Sequence, residues 1–301
     1  MSETFTLHPI LGCLHEAEKF IGCDEWKPIN DAQERFIETC LVDGFEDLLK
    51  FEDGELKCKS AKNIEEINKW LAENGFPDLQ LKPNDKPTAF AVASILHVFL
   101  NWQKKGKETA ILYDDKRYPA AHIDYESIKF FTIKDHDNVI AYIPTKRKGE
   151  YVLMTVYPGI KDSLHWIMDV NNQIIDGRLS HDYRFKGLTF PQIDYDEMID
   201  ISFIQGMKNP GTNPNLPPWF IVEAIQQTRF KMNHIGAEVE SAVAMTMVRA
   251  FSASSLPPLV INQPFLMGIF RKELEFPYFL GHFTPENWKE VNIDFEENTI
   301  R

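Results

Sequence analysis

The side chains able to do chemistry are scattered along this sequence and do not gather into a catalytic motif. Nine histidines occur singly. His136-Asp137 and His181-Asp182 are adjacent in sequence, but catalytic partners meet in space, so adjacency carries little. There is no Gly-x-Ser-x-Gly elbow, no Gly-x-x-x-x-Gly-Lys-Ser/Thr loop and no His-Glu-x-x-His pair. Cys13, Cys23, Cys40 and Cys58 match neither a zinc site nor a Cys-x-x-Cys pair, and read as structural thiols. The expectation is a protein with no catalytic residue, no metal and no cofactor: not an enzyme.

One stretch has a different kind of pattern. From Gly236 the chain alternates with period two, placing Ala237, Val239, Ser241, Val243 and Met245 on one face and Glu238, Glu240, Ala242, Ala244 and Thr246 on the other. The same letters fit a helix, because Val239, Val243 and Met247 recur at four-residue spacing. Arg249 is the only basic residue between Gly236 and Pro264. A lone cation is what the acidic pocket of a trypsin-like protease selects.

The elements around this stretch read as follows. Leu259 to Phe270 and Phe276 to Phe283 are apolar, aromatic-rich runs separated by Arg271 to Glu275, which predicts a strand pair with charge confined to the turn. Ala89 to Trp102 is a near-continuous apolar run, fitting a strand covered on both faces or a buried helix. Asn63 is placed to cap a helix through Glu73 that Asn74-Gly75 ends. Thr109–Tyr113, Ile128–Ile133, Val139–Ile143 and Tyr151–Tyr157 read as short, mostly antiparallel strands, and Leu188–Tyr195 as a strand interrupted by a proline. Leu14–Gly22, Ala32–Cys40 and Phe45–Phe51 read as short amphipathic segments, and Ser163–Val170 as a short helix. Asn209 to Pro218 holds four prolines and reads as a loop.

At 301 residues and 44% hydrophobic the chain can bury a large core, and no repeat or linker divides it, so one domain over 1–301 is expected. The formal charge of -13 argues against a nucleic-acid backbone or an anionic membrane as partner. Met1 to Gly12 lacks a basic start and a sustained apolar core, so an intracellular, reducing location is expected, with a secreted mature form as the open alternative.

Several ordered blocks resemble the serpin family. Leu259 to Ile269, centred on Asn262-Gln263-Pro264-Phe265-Leu266, is similar to its C-terminal signature, and Phe279-Leu280-Gly281-His282-Phe283 to its closing strand. Phe230-Lys231-Met232-Asn233-His234-Ile235-Gly236-Ala237-Glu238 resembles the strand and hinge that open the reactive-centre loop. Ala93 to Trp102 resembles the strand ending in the breach tryptophan, and Ile67-Asn68-Lys69-Trp70-Leu71 the helix before it. The resemblance covers roughly Phe36 to Pro285 and is thin before Ala61, which implies a shortened N-terminal helical part.

The resemblance implies an α+β fold with a large central, mostly antiparallel sheet, further sheets and few helices. It implies a monomer that inhibits a serine or cysteine protease by offering residues 236–258 as an exposed bait loop. Cleavage, at Arg249 or Ala250 by loop length, would free the loop to insert from its hinge at Gly236, with Ala237, Val239, Ser241, Val243 and Met245 turned inward. Trp102 would mark the breach; Ser94 and Gln226 stand where the family carries the shutter asparagine and histidine, and both keep a hydrogen-bonding group. Val239, Glu240 and Val243 are bulkier than the small residues usual in inhibitory members. The alternative is a non-inhibitory serpin that binds a partner.

Overall fold

The computed structural model describes residues 2–82, 90–96, 101–133, 138–157, 163–235 and 256–291. The N-terminal part runs β1 (Glu3–Phe5), α1 (Leu7–Ile21), α2 (Asp31–Phe36), a π turn at Ile37–Leu41, α3 (Val42–Leu48), β2 (Leu56–Ala61), α4 (Ile64–Glu73) and β3 (Ala91–Leu96). Strands β4 (Lys107–Tyr113), β5 (Lys116–Ile123), β6 (Lys129–Thr132), β7 (Val139–Pro144) and β8 (Glu150–Val156) follow, then α5 (Ser163–Ile175). Next come β9 (Ser180–His181), β10 (Leu188–Pro191), β11 (Ile193–Ile199), β12 (Lys208–Asn209), β13 (Trp219–Phe220) and β14 (Gln226–Met232). The last strands are β15 (Leu259–Val260), β16 (Phe265–Arg271) and β17 (Phe279–Phe283).

These strands build a seven-stranded antiparallel sheet in the order β1-β17-β16-β8-β7-β6-β9 and a four-stranded sheet in the order β15-β10-β5-β4. Three two-stranded sheets, β2-β3, β11-β14 and β12-β13, complete an α+β fold with few helices. The middle strands β8 and β16 are buried on both faces, which is why their sequences are continuous apolar runs. Val152, Met154, Met267 and Ile269 enter the main core on one face, while Leu153, Leu266 and Phe270 pack on the side of α5 with Ile167 and Val170.

Local signals explain several boundaries. The Asn63 side chain accepts from the Glu65 amide at 2.9 Å, the cap predicted for α4. The first helix is longer than Leu14–Gly22: Leu7, Ile10 and Leu11 continue the spacing of Leu14 and Ala17, and Pro9 is tolerated in a first turn that needs no amide donor. Gly22, with φ 78°, closes it in the left-handed region. The sequence reading missed β5, where Pro119 looks like a breaker, although the hairpin turn Asp114-Asp115 has positive φ at both residues (49° and 58°). It also missed β1, three residues long, which pairs with β17.

The hairpin turn between β16 and β17 departs from its solvated expectation. Arg271 is buried between Glu55, at 2.5 Å, and Glu150, at 3.2 Å, and Tyr278 donates to Glu150 at 2.7 Å. Beside it, Asp47 of α3 accepts from the Glu275 amide at 2.9 Å and from His8 Nε2 at 3.2 Å, both side chains being fully buried.

Burial depresses the His8 imidazole below its ordinary 6.5 despite the Asp47 partner. For Asp47 burial alone would raise the carboxyl, but the donors from His8, the Glu275 amide and Lys50 hold it below its ordinary value. Below pH 6.5 the unfolded chain binds a proton at His8 that the folded chain refuses, so stability falls with pH by up to about 1.4 kcal/mol per unit for this one site. His234 and His282, also depressed by burial, act in the same direction. Unfolding measured between pH 7.5 and 5.5 is expected to show a shallower slope in His8→Gln; parallel slopes would reject the assignment.

Candidate strand-acceptor site

Strands β3 and β14 face each other across a gap. Among the described residues each pairs with one neighbour, β2 and β11 respectively, and no ladder joins them to each other. Between them lies a cavity of about 170 Å³, lined by Val92, Ser94 and Leu96 on one side and by Gln226, Thr228 and Phe230 on the other. Helix α1 contributes Ile10 and Cys13, and Leu71 of α4 with the following Leu79 contributes the opposite side.

The period-two pattern of each strand creates this arrangement. On β3, Ala91, Ala93 and Ile95 pack with Ile67 and Leu71 of α4, which turns Val92, Ser94 and Leu96 the other way, and Ser94 Oγ donates to the Pro9 carbonyl of α1. On β14, Gln226, Thr228, Phe230 and Met232 are buried while Arg229 and Lys231 face out. Arg229 pairs there with Asp196 at 2.8 Å, and Lys231 with Asp194 at 3.8 Å. Insertion of one more strand would join these pairs into a single sheet ordered β2, β3, insert, β14, β11.

The structure brings the two shutter candidates to opposite walls of one cavity. Gln226 Nε2 donates to the Thr6 carbonyl at 3.2 Å and to the Thr6 hydroxyl, so Ser94 and Gln226 are tied to the same short stretch at the start of α1 and not to each other. Burial pushes the Cys13 thiol up to about 11 and the Cys58 thiol up to about 12, so both stay protonated beside Ser94. They are poor nucleophiles.

At the end of β14, Trp102 is fully buried and its Nε1 donates to the Asn233 carbonyl at 2.9 Å, with its ring edge-on to Phe190. The Gly106 amide donates to the His234 carbonyl at 2.7 Å, so the two residues before Ile235 are held by main-chain contacts. On the far side, the Leu259 amide donates to Gly187 at 3.0 Å, and β15 pairs in parallel with β10. The segment between is thus anchored at both ends in different sheets. Gly236, Ala237, Val239, Ser241, Val243, Met245, Arg249 and Ala250 lie outside the described residues.

Histidine-acid pairs in sequence do not make a site. His136 and Asp137 fall outside the described residues. Asp182 is engaged by Arg184 at 2.7 Å, whose hydrogen bonds lower its carboxyl. The buried His8–Asp47 pair was not visible in sequence, since the two residues come from different helices and neither sits in a motif. Among the described residues no group of three or more His, Cys, Asp or Glu could hold a metal ion, and no helix is long and apolar enough to cross a membrane.

No family model matches this sequence, and no curated protein does. Solved structures match over nearly the whole chain. Human glycosylated kallistatin is 11% identical with a TM-score of 0.60, covering 97% of this chain and 92% of that one. Human thyroxine-binding globulin complexed with thyroxine is 13% identical with a TM-score of 0.57, covering 96% and 93%. Serpin48 of the insect Tenebrio molitor, described as a highly specific serpin, is 13% identical with a TM-score of 0.56, covering 97% and 92%. At these identities the likeness is one of architecture, and the chain has the serpin fold.

Proposed function

We propose that this protein is a protease inhibitor that works as suicide bait. A target protease cuts the 236–258 segment, and the freed strand enters the gap between β3 and β14 before the acyl-enzyme is hydrolysed. The observation that carries this reading is the unpaired facing of β3 and β14 across a cavity, with the 236–258 segment leaving directly from the end of β14. Strand addition satisfies the facing main-chain groups of both walls, which is the driving force of loop insertion.

Arg249 is the proposed bait, and the target a trypsin-like serine protease; Ala250 is the neighbouring candidate. The bait chemistry needs no catalytic residue, metal or cofactor of this chain, which acts as a monomeric single domain. Incubation with trypsin is expected to give a covalent complex that survives denaturing electrophoresis, and Arg249→Glu to lower its yield at least tenfold. Full cleavage with undiminished trypsin activity would overturn the proposal. That outcome would favour the second reading, a non-inhibitory binding protein, for which the likeness to a carrier complexed with thyroxine is the motivating observation.

A further inference from the structure

The cavity between β3 and β14 has chemistry of its own. Its lining is dominated by apolar side chains, among them Ile10, Val92, Leu96 and Phe230, and its volume of about 170 Å³ is close to the roughly 150 Å³ of an apolar cavity that admits benzene. The polar groups along it are mostly spent. Ser94 Oγ donates to Pro9, the Cys13 thiol is hydrogen-bonded to Ser94, and Glu223 accepts from the Lys82 amide at 2.9 Å. Arg229 is held by Asp196 at 2.8 Å.

Two lining groups remain unmet. The side-chain carbonyl oxygens of Gln226 and Gln227 are buried and have no hydrogen-bond partner. Their amide nitrogens are already committed, that of Gln226 to the Thr6 carbonyl at 3.2 Å and that of Gln227 to Asp196 at 2.6 Å. Because a carbonyl and a carboxylate only accept, these bonds fix which end of each amide faces which way, and both open groups are acceptors. An unmet buried acceptor is costly, so the cavity rewards an occupant that donates. Arg229 is paired with Asp196, and Glu223 lies at the exposed edge where it accepts from the Lys82 amide, so a charged occupant beside Gln226 would lose its hydration without compensation.

We infer that this cavity binds a small, neutral, largely apolar molecule that donates a hydrogen bond, of the phenol class, with Gln226 as the residue that selects for the donor. The site exists in the uncleaved chain, so binding is independent of whether the loop is ever cut or inserted.

The test uses the full chain with 4-methylphenol and toluene, two probes of similar shape that differ in the donor, titrated by calorimetry and by methyl NMR of Ile10, Val92 and Leu96. The expected result is binding of 4-methylphenol about tenfold tighter than toluene, the size of one net hydrogen bond. Gln226→Leu is expected to bring the two probes to equal affinity. Since that substitution also frees the Thr6 carbonyl, Leu96→Trp serves as a second variant: it fills the cavity from the other wall, leaves Gln226 in place and should abolish binding of both probes. Equal affinities in the unmodified protein, no binding of either probe, or 4-methylphenol binding unchanged in Leu96→Trp would each overturn the inference. Failure of the trypsin complex would leave it standing.

Discussion

Cutting the chain after Arg249 is expected to raise its thermal unfolding midpoint by roughly 7 to 14 °C. Insertion with Val239, Val243 and Met245 turned inward buries three apolar side chains at about 1.5 to 3 kcal/mol each, or about 5 to 9 kcal/mol together. At about 2.1 cal/mol/K of unfolding entropy per residue, a 301-residue chain gains about 1.6 °C per kcal/mol. Ala237 and Ser241 are small enough to turn inward, and the alternation would put Glu238 and Glu240 on the outward face. Calorimetry of intact and trypsin-cut protein checks the rise. Val243→Asp is the control, because an inward carboxylate without a partner costs several kcal/mol to bury: the variant should be cut as readily and gain little. A cut form that melts with the intact one would remove the acceptor role from β3 and β14.

Replacing Arg271 by methionine is expected to cost about 3 to 5 kcal/mol, the largest loss for any single surface-charge residue named in sequence as part of a turn. The guanidinium is 5% exposed, and its removal leaves Glu150, 3% exposed, without its cation. Glu55 loses a partner too, and Arg147 and the Glu52 amide then hold it. Burial raises the Glu55 carboxyl and the hydrogen bonds from Arg271 more than reverse this, so stability from Glu55 is present above its ordinary 4.5 and is lost as the pH falls through its lower folded value. Glu150→Gln in the methionine background is expected to restore part of the loss, since a neutral amide accepts from one of the Thr145 and Tyr278 hydroxyls and donates to the oxygen of the other. Urea unfolding of the single and double variants decides: a loss under about 1 kcal/mol for Arg271→Met would show that water reaches this cluster.

How much of this was legible in sequence depended on whether the signal was local. The α4 cap at Asn63 and the β16–β17 pair are written in neighbouring residues, and they were read; Ala89 to Trp102, expected as a strand covered on both faces or a buried helix, holds β3, whose burial alternates. Only the end of β14 was reached, through the resemblance of Phe230 to Glu238 to a family strand; its alternation of buried and outward positions from Gln226 was not read. The fate of Arg271 was not legible, because a charged residue in a turn is ordinarily solvated and only the approach of Glu55, far away in sequence, makes it an interior group. The run holding β5 was left unassigned between Tyr113 and Ile128: with Pro119 in its middle it is held as a strand by its neighbours β4 and β10. The gap itself is a relation between two strands that share no pairing, and nothing in either strand announces it.

Strand β1 completes the seven-stranded sheet by lying against β17, with Glu3 opposite His282. On a ribosome adding about 5 to 20 residues per second, that opening strand waits roughly 15 to 60 s for its partner to be made. Helix α1 rests early on α3, β2 and β3, while its contacts with Ile201, Ile204, Met207 and Phe276 come only as the later chain is made. The yield of folded protein is therefore expected to respond to translation speed.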